Sequence, residues 1–186
     1  MSQPYEIETE RLVFRVWADR HRGPMAALNA DPETMRYFPS TATREQTDET
    51  IDRWCGVLLE RGWGFSAVEL KSSGEFIGMI GLTVPRHPLP CLPCVEIGWR
   101  LARPYWGHGY ASEGARACLA LGFTQLGLDE IVSFTALPNE RSRRVMERIG
   151  MTNTRADFEH PAVLAGSPLR THCLYKITRP EWEAKQ

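Results

Sequence analysis

The chain has 186 residues, 42% of them hydrophobic and 24% charged, a composition typical of a globular protein. It carries 22 lysines and arginines against 23 aspartates and glutamates, and this balance gives no general electrostatic reason to bind nucleic acid or an anionic membrane. The N-terminus lacks the basic and apolar regions of a signal peptide, and no run reaches the roughly 18 apolar residues of a membrane span.

We therefore expect a cytoplasmic protein with one domain over residues 1–186, and the sequence does not distinguish a monomer from a homodimer. Segments in which apolar residues alternate as in strands are interspersed with segments that have helical spacing, and this order predicts a mixed α/β fold. In chain order the predicted elements are a strand at 11–17, helical segments at 18–38 and 43–61, strands at 64–70, 76–84 and 94–101, a helix from 111, a strand at 131–137, a helix at 139–149 and a strand at 170–178. Within 18–38, Gly23-Pro24 breaks the helical pattern and Asp31-Pro32 restarts it.

A proline-rich loop, PRHPLPCLPC, lies between the third and fourth predicted strands. It contains the pair Cys91 and Cys94, with His87 upstream. A zinc site needs four ligands at recognisable spacing, and the sequence offers no second pair. We therefore expect no metal and interpret the segment as a stiff surface loop, with zinc binding as the alternative.

The stretch RPYWGHGYASEG (103–114) follows the strand CVEIGWRL and begins the next helix. A strand that runs into glycines and then a helix is a general anion-binding arrangement, because free backbone N–H groups converge at the positive end of the helix. A Walker loop is excluded, since no lysine and hydroxyl follow Gly109 or Gly114 at the required spacing. The dinucleotide pattern GxGxxG fits poorly, since Ser112 stands where its third glycine belongs.

The segment VEIGWRLARPYWGHGYASEGARACLALGF resembles the acetyl-CoA-binding core of the GCN5-related N-acetyltransferases, whose pattern is (Q/R)xxGx(G/A). Gly109-Tyr110-Ala111 matches the second half of the pattern, whereas Trp106 departs from its first position. The WGxGYA form is typical of the branch similar to ribosomal-protein N-terminal acetyltransferases. The segments TERLVFR, DPETMRYFP, FIGMIGL and PNERSRRVMERIGM extend the resemblance over roughly residues 8–182.

The resemblance implies an α/β fold with a mixed, mostly antiparallel central sheet flanked by helices, whose splayed central strands hold acetyl-CoA. It places the pantetheine arm along the strand that contains Ile97, Gly98 and Trp99. It also implies that backbone N–H groups of the following loop bind the pyrophosphate. The loop residues are Trp106, Gly107, His108, Gly109, Tyr110 and Ala111. Asn139 belongs to the implied cofactor site, and Arg144 is the expected contact for the 3′-phosphate of CoA.

The resemblance further implies direct attack of an amine on the acetyl thioester, without a covalent enzyme intermediate. This reaction needs a group that accepts the amine proton, one that stabilises the oxyanion and one that protonates the leaving thiolate. By analogy with the family, a backbone N–H in residues 96–99 stabilises the oxyanion and Ser142 of the NxxS motif protonates the thiolate. Asn139 begins that motif and is also suited to cap the helix. Glu96, on the polar face of the strand, is the candidate base.

The motifs together predict transfer of an acetyl group from acetyl-CoA to a primary amine, either a protein N-terminus or a small molecule. No motif identifies the acceptor. One alternative is a non-catalytic module that binds acyl-CoA on the same fold. Another is a dinucleotide-binding reductase, which the glycine spacing disfavours.

Overall fold

The computed structural model describes residues 4–185, which form an α/β fold built on one sheet. The strands are β1 (Leu12–Arg15), β2 (Phe65–Leu70), β3 (Phe76–Thr83), β4 (Glu96–Leu101), β5 (Glu130–Ala136), β6 (Thr152–Asn153), β7 (Phe158–Glu159) and β8 (Thr171–Thr178). The helices are α1 (Asp19–Ala30), α2 (Arg44–Arg61), α3 (Tyr110–Thr124), α4 (Glu140–Arg148) and α5 (Arg179–Glu183), with a short 3-10 helix at Arg103–Tyr105. Within this described range, no helix combines the length and the apolar character needed to cross a membrane.

The sheet has the strand order β1-β2-β3-β4-β5-β8-β6, and β7 also pairs with β8. The described strand pairs are antiparallel except β4 with β5, which run parallel. Parallel neighbours require a long crossover connection, and here the connection contains α3. The mixed, mostly antiparallel sheet that the resemblance implied is therefore confirmed.

The alternation of side chains along each strand divides the core into two layers. Ile97 of β4 belongs to the larger core, which residues of α3 and α4 complete. Met79 of β3 belongs to a smaller core that lies against α1 and α2. Because neighbouring residues of a strand point to opposite faces, Glu96, Gly98 and Arg100 lie on the face of α1 and α2.

β4 and β5 are joined at one end and diverge toward the other. Their ladder consists of one pair, Glu96 with Val132, and the N–H of Val132 donates to the carbonyl of Val95 at 2.9 Å. The hydroxyl of Ser133 adds a bond to the carbonyl of Ile97 at 2.9 Å. By contrast, the β5–β8 ladder extends over seven residue pairs. The sheet is therefore open between the carboxyl ends of β4 and β5.

The structure corrects the prediction for residues 18–38. α1 continues through Pro24 without a break. The next residue, Met25, is fully buried in the smaller core. The free energy gained by this packing outweighs the one backbone hydrogen bond that proline cannot make. No helix restarts after Asp31, because its carboxylate accepts hydrogen bonds from the N–H and the hydroxyl of Thr34 and holds a turn.

The other predicted strands and helices are confirmed to within two residues at each end. The structure adds β6, β7 and α5, which were not predicted. β6 and β7 have two residues each, too few to show an alternating pattern, and α5 has only five residues.

Candidate active site

The loop between β4 and α3 leaves the beginning of α3 open. Gly107 and Gly109 have φ angles of 81° and 82°, which other residues adopt only with strain. Gly109 is the N-cap of α3 and has no side chain to offer the N–H groups of the first turn. A Cβ at Gly107 would meet nothing within 4 Å, so the space beside it is free. The loop thus presents unpaired N–H groups and the positive end of α3, an arrangement suited to an anion.

Arg11, immediately before β1, holds this loop in place. Its guanidinium pairs with Glu113 of α3 at 2.6 Å, donates to the carbonyl of His108 at 3.1 Å and lies 4.5 Å from the ring centroid of Tyr110. Burial alone would raise the pKa of Glu113, but hydrogen bonds from Thr9 and Arg11 outweigh it and lower that pKa. No local sequence pattern predicts this pair, because about a hundred residues separate the partners.

Trp106, which departs from the family pattern, connects the loop to α4. Its indole N–H donates to the carbonyl of Leu101 at 2.7 Å. The guanidinium of Arg141, in the first turn of α4, lies 4.4 Å from the centroid of the Trp106 ring. The structure thereby brings an exposed cation to the glycine loop, a contact that sequence analysis did not assign to Arg141.

The NxxS motif begins α4. The side-chain oxygen of Asn139 accepts the N–H of Ser142 at 3.3 Å, so the expected cap is confirmed. The amide of Asn139 donates in turn to the hydroxyl of Thr135 at 2.9 Å. Ser142 is half-buried, next to the contact between Arg141 and Trp106.

Arg144 lies one turn farther along α4 and faces solvent. Its side chain is 68% exposed and pairs with Glu140 at 3.2 Å. No contact in the described part of the chain joins it to the glycine loop. Its role at the 3′-phosphate of CoA stays a prediction.

Backbone groups of alternate β4 residues point into the gap beside β5. The carbonyls of Val95, Ile97 and Leu101 accept hydrogen bonds on that side. The same alternation directs the N–H and the carbonyl of Trp99 there, beyond the end of the β4–β5 ladder. A free donor and a free acceptor therefore lie between the diverging strands.

Glu96 lies where the two strands part, on the face of α1 and α2. Within residues 4–185, no hydrogen bond or ion pair to its carboxylate is found. Burial raises the pKa of Glu96 to about 8, so the carboxyl is mostly protonated at neutral pH and ionises as the pH rises further. A Cβ on Gly98 would lie 3.8 Å from the Glu96 carboxylate and 3.2 Å from the Phe65 ring. The ring of Phe65 therefore packs directly against Gly98, next to the carboxylate.

The architecture and the loop match a known family model, described as an acetyltransferase (GNAT) domain, over residues 11–152. The chain belongs to the GNAT family. A GNAT-family acetyltransferase of Bacillus anthracis has the same fold, with a TM-score of 0.78, 26% identity and coverage of 95% of this chain and 99% of the other. The protein is accordingly an acyltransferase of this family.

Two further proteins are similar to this chain, one in sequence and one in fold. FsC-acetyl coenzyme A-N(2)-transacetylase of Aspergillus fumigatus is 30% identical over 187 residues, which cover 97% of this chain and 79% of that one. RimL, an alpha-N-protein acetyltransferase of ribosomal L7/L12 solved in complex with coenzyme A, shares the fold with a TM-score of 0.73 and 16% identity. The match to RimL covers 94% of this chain and 98% of the RimL chain. RimL thus has the same fold as this GNAT protein.

An aromatic and imidazole cluster lies on the GNAT sheet beside the opening. The ring centroids of His160 and His172 are 4.8 Å apart, and His87 lies 5.4 Å from His160. Phe134 and Phe158 complete the cluster. Burial, assisted by the neighbouring His172 and His87, lowers the pKa of His160 to about 4, so its ring is neutral at pH 7. No local sequence pattern predicts this cluster, since its members come from four separate segments.

The two thiols of the proline-rich loop lie close together in this GNAT chain. The Sγ atoms of Cys91 and Cys94 are 3.5 Å apart. Burial and the hydrogen bond with Cys91 raise the pKa of Cys94 to about 12, so the Cys94 thiol is protonated at neutral pH. In residues 4–185 no group of three or more histidine, cysteine, aspartate or glutamate side chains is arranged to hold a metal ion.

Proposed function

We propose that the protein transfers the acetyl group of acetyl-CoA to a primary amine by direct attack on the thioester. The observation that carries this proposal is the gap between β4 and β5, where backbone groups of Trp99 are free beside the glycine loop. An extended pantetheine arm can pair with such an edge as an added strand does. The name of the Aspergillus relative, which contains acetyl coenzyme A and a transfer to nitrogen, supports both substrates.

Strand and loop have to act together in binding the cofactor. One charge at a helix end contributes about 0.3–1 kcal/mol, whereas micromolar affinity requires about 8 kcal/mol. We assign the pyrophosphate to the backbone N–H groups of residues 107–111. The guanidinium of Arg141 lies against the Trp106 ring of this loop, and we assign it a phosphate contact.

Three groups carry the chemistry in this proposal. Glu96 accepts a proton as the amine nitrogen attacks the thioester carbonyl carbon. The N–H of Trp99 donates to the oxygen as it becomes an oxyanion. When the C–S bond breaks, the hydroxyl of Ser142 donates its proton to the sulfur and regains one from solvent.

The raised pKa of Glu96 favours an acceptor amine of low basicity. Presenting a lysine amine uncharged at pH 7 costs about 4–5 kcal/mol, because its ordinary pKa is about 10.4. An α-amine with a pKa of about 7.7–8.0 costs only about 1 kcal/mol. The pKa of the Glu96 carboxyl, about 8, is close to the pKa of such an amine, so the proton passes between them at little cost in free energy. We therefore propose a protein N-terminus or a weakly basic small-molecule amine as the acceptor.

Calorimetric titration with acetyl-CoA, CoA, NAD and ATP, followed by amine-dependent thiol release, tests this function. We expect binding of the two CoA compounds alone and release of CoA thiol in proportion to acetylated amine. Failure to bind acetyl-CoA contradicts the proposal. Binding without turnover across a broad panel of amines and peptides would instead assign the protein as a non-catalytic acyl-CoA-binding module.

A further inference from the structure

A half-buried arginine on β4, Arg100, faces the same side of the sheet as Glu96. Nη1 of Arg100 donates to the side-chain oxygen of Asn29 at 2.7 Å, and its guanidinium carbon lies 4.1 Å from the ring centroid of Phe38. Its Nε is buried without a hydrogen-bond partner. Burial lowers the pKa of Arg100 to about 10, so the side chain remains cationic at neutral pH.

Within residues 4–185, Arg100 has no neutralising carboxylate, unlike the arginines that pair with Glu69 on this face. Arg20, for example, lies 3.0 Å from the carboxylate of Glu69. Arg100 has no such ion pair within 4.0 Å among the described residues. Its partner Asn29 is neutral and is itself fixed by a hydrogen bond of 3.1 Å to Thr47. Because buried charges in proteins are normally paired, this arrangement leaves a cation that a ligand can neutralise.

Glu96 and Arg100 lie at the two ends of β4 on the same face of the sheet. They are four residues apart on the same face of a strand, which separates their Cα atoms by about 13 Å. Between them stands Gly98, where a Cβ would come within 3.2 Å of the Phe65 ring. Burial accounts for the pKa shifts of both side chains, and neither is shifted by the other. One face of β4 therefore carries a carboxyl group and a guanidinium at some distance from each other, without an ion pair between them.

We propose that Arg100 binds a carboxylate of the acceptor, and that the acceptor is an amine carrying this carboxylate several bonds away from its nitrogen. This inference rests on the proposed function, which places the amine at Glu96. With Nη1 held by Asn29, the edge formed by Nε and Nη2 has no partner among residues 4–185, and a carboxylate there supplies one. A free α-amino acid is too short for both ends, since only one carbon separates its amine from its carboxylate carbon.

Matched acceptors test this inference by thiol release. One series is the amidated dipeptides Gly-Asp, Gly-Glu and Ala-Glu, whose α-amines are weakly basic, and the other is their amide counterparts Gly-Asn, Gly-Gln and Ala-Gln. An amidated Ala-Asp dipeptide and its Ala-Asn counterpart form a further pair. We expect kcat/KM to be at least about tenfold higher for the best carboxylate than for its uncharged partner. In Arg100→Gln this ratio should fall to about one.

Two variants separate recognition from folding and from general charge. Arg36→Gln removes the same charge from an arginine that is 62% exposed and lies two residues before Phe38, and it should retain the preference. Arg100→Lys keeps the charge but lacks the planar guanidinium, so its preference for the carboxylate acceptor should be intermediate. This variant replaces Arg100→Gln in the test if the glutamine variant does not fold. Acetyl-CoA affinity, measured by calorimetry, should match the wild type in all three.

The outcomes distinguish this inference from the function on which it rests. Equal rates for charged and uncharged partners in the wild type overturn the carboxylate assignment and leave acetyl transfer intact. A preference that Arg36→Gln reduces as much as Arg100→Gln also overturns it, because general electrostatics then explains the effect. Acetyl-CoA binding with no turnover of any amine overturns the proposed function itself.

Discussion

Glu96 combines a position at the junction of two strands with a pKa raised by burial to about 8. We predict that Glu96→Gln lowers kcat by about 100-fold or more, the range of general base catalysis. In the wild type the rate should rise with pH through about 8, because the ionised carboxylate is the active form. The variant should lose this dependence. The measurement is a pH–rate profile with an amine whose own pKa lies well below 6, so that the acceptor does not titrate.

Glu49→Gln is the matched control for this change. Glu49 is exposed on α2, and its loss should leave the profile unchanged. A Glu96→Gln variant that keeps the wild-type profile removes Glu96 as the base.

Ser142 has two separable roles, one in its hydroxyl and one in its backbone. The N–H of Ser142 completes the Asn139 cap, and alanine retains that N–H. We predict that Ser142→Ala lowers kcat by about tenfold, a modest effect because a thiol with a pKa of about 8.5 leaves with little acid assistance. The dissociation constant of acetyl-CoA should change less than about twofold. If affinity falls together with rate, the hydroxyl acts in binding or structure, and the assignment as proton donor is wrong.

At the scale of elements, the glycine loop depends on a backbone conformation as much as on open space. Gly109→Ala places a Cβ 3.6 Å from Arg11, an ordinary contact, but at a φ of 82° it introduces strain of about 1–2 kcal/mol. If the loop rearranges to relieve this strain, its N–H groups move away from the phosphates. We predict that acetyl-CoA affinity falls by about 5- to 30-fold, measured by calorimetry.

The turn between β2 and β3 provides the control for Gly109. Gly74 has a φ of 71° and would have nothing within 4 Å of an added Cβ. Gly74→Ala should destabilise the protein to a similar extent, measured by thermal unfolding, and leave acetyl-CoA affinity unchanged. Equal affinities in both variants would show that the conformation of Gly109 does not matter for binding.

The elements also show what a sequence can specify. The hairpin of β2 and β3 and the strand-to-helix loop were predictable, since alternation and turn residues are local signals. The Asn139 cap was predictable for the same reason. The bond from Arg11 to Glu113 and the contact of Arg141 with Trp106 were not, because each joins distant segments whose approach is set by the sheet. The unpaired state of Arg100 is likewise visible only once its neighbours are known.

At the scale of the whole molecule, Glu96 also determines how stability changes above neutral pH. Between its ordinary value of 4.5 and about 8, the folded state holds this proton and the unfolded state releases it. Stability therefore falls as the pH rises through that window. Histidines with lowered pKa values, such as His160, act in the opposite direction, but only below about 6.5. From 6.5 to 8, Glu96 is the titrating group with a resolved shift among residues 4–185.

We predict that thermal stability declines by a few degrees between pH 6.5 and 8 and that Glu96→Gln abolishes this decline. The corresponding loss in the free energy of unfolding is at most about 2 kcal/mol, and partial solvent exposure of the carboxyl reduces it. Thermal unfolding of both proteins across this range is the measurement. A flat profile in the wild type would mean that the pKa of Glu96 is close to its ordinary value.

The single backbone pair between Glu96 and Val132 has a mechanical consequence. β1 to β4 form one antiparallel half-sheet and β5 to β8 form another, and the backbone ladder that joins them is one pair long. The bond from Ser133 to Ile97 reinforces this junction from a side chain. The stiffness of the protein across its middle is therefore set by the junction, by the packing of α3 and by whatever fills the gap.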